Sequence, residues 1–133
     1  MKKLLLLLLL SLGINNLANA KELTFECDVE NLYEQSDSGE IKLSPDLWQD
    51  IFKVKKFTVS NKTGLMSGDF DTSQLTDVRV INQGSNVNSF KSVYFTYDER
   101  KWVILEIKTH FESEKKPFIL LYQLGIVTGF CKV

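Results

Sequence analysis

Short segments in which polar and apolar residues alternate make up most of the chain after residue 20. At 22–28, for example, Leu23, Phe25 and Cys27 alternate with polar neighbours, which predicts a strand with one buried and one wet face. Similar segments follow, separated by turns rich in Gly, Asn, Asp and Ser. The pattern predicts a mainly β domain of about eight strands, an antiparallel sandwich or flattened barrel.

One segment instead has the features of a helix start. Ser44 is suited to the N-cap and Pro45 to the first helical position, and apolar pairs at i and i+4 begin at Leu47 and Trp48. The sequence therefore predicts one short α-helix, and we expect Leu47 or Trp48 to pack on the sheet.

Two of the predicted strands are apolar on both faces. Residues 102–105 and 118–122 lack the polar alternation of the other strands, which is typical of strands covered on each side. The short helix, a partner protein or a second copy of the chain could supply that cover, and the sequence leaves the oligomeric state open.

Residues 1–20 have the pattern of an export signal. Two lysines precede a short apolar run at 4–12, and Ala18 and Ala20 supply the small residues of a cleavage site. A membrane anchor needs about 20 uninterrupted apolar residues, which this run does not reach. The sequence predicts a cleaved signal peptide, one domain over 21–133, no membrane anchor after cleavage, and a periplasmic or secreted bacterial protein.

The chain has two cysteines, Cys27 and Cys131. An even number of cysteines in an exported protein favours a disulfide, and two thiols with one distant histidine are too few for a zinc site. We therefore expect a bond that joins the first strand to the last.

Charge is unevenly distributed along the chain. The net charge is −1, and without the two lysines of the leader fourteen bases face seventeen acids, which gives −3. This balance argues against a nucleic-acid partner. No base occurs between 22 and 41, where seven acids lie: Glu22, Glu26, Asp28, Glu30, Glu34, Asp37 and Glu40. We predict that Glu30, Glu34, Asp37 and Glu40 form a face for a protein partner, with a basic protein as the kind that such a face would suit; the alternative is a strand edge kept soluble by charge.

Candidate chemistry is sparse. His110 is the only histidine, and no nucleophile motif accompanies it. Asp69, Asp71 and Asp77 could contribute oxygen ligands to calcium, but they lack the spacing of an EF-hand loop. The sequence thus predicts no catalytic, cofactor-binding or metal-binding residue, and no enzyme.

These observations favour an exported soluble binding or interaction protein of the bacterial envelope. One alternative is a small-ligand carrier, with a barrel cavity lined by residues such as Phe95, Trp102 or Tyr122. Another is an inhibitor of a basic hydrolase. In size, export signal and terminal disulfide the chain resembles small exported β-barrel lysozyme inhibitors, but it has no counterpart of their Ser-Gly-containing motif, and no residue role is carried over.

Overall fold

The computed structural model describes residues 21–72, 77–95, 102–122 and 125–133, with only the backbone of Trp102. The predicted signal peptide at 1–20 lies outside this part. Nine strands and one helix form within it: β1 (Thr24–Gln35), β2 (Ile41–Leu43), α1 (Asp46–Lys53), β3 (Lys56–Ser60), β4 (Met66–Gly68), β5 (Asp77–Gln83), β6 (Phe90–Phe95), β7 (Trp102–Ile107), β8 (Lys116–Tyr122) and β9 (Gly125–Lys132).

The strands form a single curled sheet shaped like half a barrel. Eight of them lie in the order β4-β3-β1-β9-β8-β7-β6-β5, every neighbouring pair is antiparallel, and β2 pairs with the far end of β1. The predicted mainly β, antiparallel fold with one short helix is confirmed.

A disulfide joins β1 to β9, as predicted. Cys27 and Cys131 lie directly opposite each other in the ladder, with Cα atoms 3.9 Å apart, and both are buried. Closing a loop of 104 residues would stabilise the fold by about 4 to 5 kcal/mol in the chain-entropy model. A disulfide is compatible with an oxidising compartment outside the cytosol.

The concave face of the sheet holds the core. Side chains there come from distant strands and meet across the curl: the rings of Phe25 and Phe90 have centroids 5.6 Å apart, and those of Phe57 and Phe118 are 5.3 Å apart. Each such buried side chain contributes about 1.5 to 3 kcal/mol relative to exposure. The contacts fill the interior between β1, β3, β6 and β8.

A buried tyrosine fastens the two ends of the sheet together. The Tyr94 hydroxyl on β6 donates to the carbonyl of Gly64, in the turn between β3 and β4, at 2.8 Å, and accepts from Ser92 at 2.7 Å. Burial raises the pKa of Tyr94. Gly64 has φ +72°, and a Cβ there would meet Val78 at 2.9 Å, so only glycine allows this close approach.

The helix differs from its prediction at both its start and its buried face. It begins at Asp46, with Pro45 at the N-cap, and the buried Ser44 hydroxyl has no hydrogen-bond partner among the described residues. Leu47 is 70% exposed and Trp48 47% exposed. The predictions that Ser44 caps the helix and that Leu47 or Trp48 packs on the sheet are therefore wrong.

Gln49 and Phe52 form the buried face of α1 instead. Along one edge β1 pairs with β3 as far as Asp28 and with β2 from Tyr33 onward, which leaves Leu32 between the two ladders. The Gln49 amide fills this position: its Oε1 accepts from the Leu32 N–H at 3.2 Å and its Nε2 donates to the Leu32 carbonyl. The side-chain amide thus supplies an acceptor for the Leu32 N–H, while the Leu32 carbonyl also accepts from the Ser44 N–H at 3.0 Å, because buried backbone groups need partners.

The outer faces of β7 and β8 are not covered by Leu47 or Trp48, the two helix side chains that we expected to pack on the sheet. Ile104 and Leu121 lie next to each other on this face and are half-buried, in a row that continues through Val93 on β6 and Ile126 on β9. Leu47 and Trp48 are exposed, while α1 packs against β1.

Candidate functional site

Exposed apolar side chains are concentrated on β2 and α1. Twelve large hydrophobic residues are exposed in the described part of the chain, and half of them lie within residues 41–54. We call this group the β2–α1 surface: Ile41, Leu43, Leu47, Trp48, Ile51 and Val54. Scattered exposed apolar residues are normal, whereas a group of them is typical of an interaction site.

The helical period explains why the apolar residues of α1 in this surface point outward. Leu47, Ile51 and Val54 recur at i, i+4 and i+7, so they form one stripe along the helix. At 100° per residue this stripe lies opposite Gln49 and Phe52, the two residues buried against the fold.

Two contacts hold the helix in this orientation. Gln49 is hydrogen-bonded to both backbone groups of Leu32, and the ring of Phe52 packs against that of Phe70 with centroids 6.2 Å apart. Phe70 in turn contacts Phe57 at 5.4 Å, which connects the helix to the main core. The apolar stripe is therefore presented by a helix fixed on its other side.

The four predicted partner-face acids lie on the strand and the turn that precede β2 and α1 in the chain. Glu30 and Glu34 are on the second half of β1, and Asp37 and Glu40 are in the turn that leads to β2; all four are exposed. Glu40 pairs with Lys42 at 2.7 Å. Glu30, Glu34 and Asp37 make no ion pair with any residue that the structure describes. The predicted acidic segment is thus followed directly in the chain by the exposed apolar one.

Further acids come from the helix itself. Asp46 and Asp50 are one turn apart, exposed, and without an ion pair in the described part of the chain. Residues 30–54 together hold six acids and two bases, a net charge of −4 in a chain whose total is −1. The β2–α1 surface is thus set in an acidic part of the protein.

The first part of the acidic segment is different, because basic residues of β3 and the following turn reach it. Asp28 pairs with Lys56 at 2.8 Å, and that hydrogen bond raises the pKa of the Lys56 ammonium. Glu22 lies 4.0 Å from Lys62. Acids at the start of the segment are therefore partly neutralised.

An open groove of about 410 Å³ lies on the outer face, where β9, β1, β3 and β4 are side by side. Glu26, Asp28, Lys56 and Lys132 contribute charges of both signs to its walls. Since Asp28 and Lys56 bind each other and all four are exposed, the groove has no buried polar group to orient a ligand.

Within the described part of the chain His110 does not form a catalytic triad. Its Nδ1 is 3.4 Å from the hydroxyl of Ser89, but the Glu106 carboxylate accepts from Lys108 Nζ at 2.8 Å. The hydrogen bond from Lys108 holds the pKa of Glu106 below its ordinary value. A triad needs the carboxylate on the histidine, where it fixes the tautomer.

The aspartates considered for calcium are engaged with protein groups. Asp69 accepts from the Lys56 N–H at 2.8 Å, and Asp77 accepts from Arg79 Nε at 2.7 Å. Among the described residues no group of three or more histidine, cysteine or acidic side chains could hold a metal.

The residues suggested for a carrier cavity are not brought together. Phe95 lies on the outer face, under the Arg79 guanidinium at 5.0 Å. Tyr122 is on the concave side, where its ring is 5.8 Å from that of Phe70. The side chain of Trp102 lies outside the described residues.

Comparison with family models, with curated proteins and with solved structures finds no match for this chain. Within the described residues no helix has the length and apolar character needed to cross a membrane.

Sequence reasoning missed the apolar half of the candidate site. The signal was present in the spacing of Leu47, Ile51 and Val54, but the pair Trp48 and Phe52 offered a second apolar stripe on the same short helix. Hydropathy alone does not decide which stripe faces inward.

Proposed function

We propose that this protein is an exported, non-catalytic interaction protein of the bacterial envelope that binds another protein through the β2–α1 surface. The observation that carries the proposal is the exposed apolar stripe on a helix whose opposite side is held against the sheet by Gln49 and Phe52. A disulfide-bonded β domain provides the rigid support.

Energetics favour a protein partner for such a surface. Burying one leucine or isoleucine side chain releases about 1.5 to 3 kcal/mol, so covering Leu47, Ile51 and Val54 together would be a large driving force. Trp48 adds a large aromatic group, the residue type most often found among binding hot spots. A helix face with anchors at i, i+4 and i+7 is also a recurring mode of recognition.

Site-specific photo-cross-linking in the intact bacterial envelope tests this proposal. A photoreactive phenylalanine derivative at Leu47 should give a discrete protein adduct of the exported protein after irradiation. The matched control is the same derivative at Val87, which is 73% exposed but lies between β5 and β6, and it should give no such adduct. If positions 47, 51 and 54 all yield only uncross-linked protein, the proposed function is wrong.

A further inference from the structure

The charge around the β2–α1 surface indicates what kind of protein covers it. We infer that the partner presents an apolar ridge bordered by lysine or arginine, and that the occupant is not a second copy of this chain. This inference rests on the proposed function and adds the chemistry of the partner.

The first step is the position of the unpaired acids. Asp46 and Asp50 lie on α1 beside the apolar stripe, and Glu34 and Asp37 lie on the adjoining part of β1 and its turn. None of these four has an ion-pair partner among the described residues. The one base on the helix, Lys53, leaves the surroundings of the surface strongly negative.

The second step compares the two protein occupants. A two-fold symmetric dimer would place this patch against itself, because such interfaces use the same surface on both subunits. The acids beside each stripe would then approach those of the other copy, and like charges across an interface are destabilising. A basic border on a different protein converts the same acids into attractive partners.

The third step is the arrangement of the two kinds of side chain. Protein interfaces have an apolar centre, poor in charge, within a polar rim. Here Leu47, Trp48 and Ile51 would form the centre, with Asp46 and Asp50 at the rim. Rim charges act chiefly on the association rate and on its dependence on salt, which gives the inference a specific readout.

Two synthetic amphipathic helical peptides of about five turns provide defined probes. Both carry the same leucine stripe; one has lysines on either side of it and the other has glutamates. The purified protein without its leader should bind the lysine peptide at least about tenfold more tightly than the glutamate peptide. Raising the ionic strength from 0.01 to 0.15 M should reduce this preference, because the screening length falls from about 30 Å to about 8 Å.

Variants separate the apolar and the acidic contributions. Leu47→Gln with Ile51→Gln should abolish binding of the lysine peptide, whereas Val87→Gln, the exposed control, should leave it unchanged. Asp46→Asn with Asp50→Asn should retain binding but lose most of the preference for lysine. These results together would support the inference.

Other outcomes would overturn it. Equal binding of the two peptides, or binding of neither, would show that charge does not select the occupant. Concentration-dependent dimerisation in analytical ultracentrifugation, lost in the Leu47→Gln/Ile51→Gln variant, would assign the surface to a second copy. A protein adduct from the cross-linking experiment without peptide selectivity would leave the proposed function standing and remove only this inference.

Discussion

The concave face of the sheet and the β2–α1 surface contain similar apolar side chains in opposite environments. On the concave face of the sheet, Phe25, Leu105 and Leu120 are buried. On α1 the apolar Leu47 is exposed, whereas the polar Gln49 is only 6% exposed. The outward apolar stripe of α1 therefore does not serve the core; the hydrogen bonds of Gln49 to Leu32 and the packing of Phe52 on Phe70 fix the other side of the helix inward.

Truncation in the sheet core should have the largest effect. Leu105→Ala should lower the free energy of unfolding by about 2 to 5 kcal/mol, because Leu105 is fully buried and its removal leaves a cavity. Urea denaturation of this variant beside Leu47→Ala would sharpen the comparison. Equal losses for the two variants would contradict it.

Gln49→Met should have the next largest effect. Methionine matches glutamine in length and helix propensity but cannot pair with Leu32, and an unsatisfied buried backbone group costs about 1 to 3 kcal/mol. Urea denaturation would measure this loss. Hydrogen exchange at the Leu32 amide should also accelerate; an amide that stays as protected as in the parent protein would show that another group makes this bond.

Tyr94→Phe should cost about 1 to 2 kcal/mol, because the Gly64 carbonyl loses its donor and Ser92 its acceptor while the ring remains in place. Thermal unfolding compares this variant with Tyr122→Phe, a matched change on a ring that is 36% exposed. If the two variants lose the same stability, the hydrogen bond from Tyr94 on β6 to the Gly64 carbonyl does not stabilise the fold.

Local patterns were enough to predict the sheet and its disulfide. Alternation around Phe25 and Cys27 depends only on neighbouring residues, and two cysteines in one chain have one possible intramolecular pairing. The order of the strands in the sheet could not be predicted from local patterns, because it depends on contacts between distant residues. The hydrogen bond from Tyr94 to Gly64, for example, joins residues thirty positions apart.

The sequence indicated only the acidic part of the candidate site. Glu30, Glu34, Asp37 and Glu40 were predicted from an acidic segment without bases, and their role as a partner face stays a prediction. The apolar part depends on Gln49, whose burial makes physical sense only once the gap at Leu32 is known. That gap arises from pairing between distant strands, which no local pattern encodes.

If the fold does not require the outward stripe of α1, the variant Leu47→Gln/Ile51→Gln should unfold in urea like the parent protein. Glutamine preserves helix propensity, so the free energy of unfolding should stay within about 0.5 kcal/mol of the parent per substitution. A loss of about 2 kcal/mol or more per residue would show instead that the stripe is packed against the protein itself and is not free for a partner.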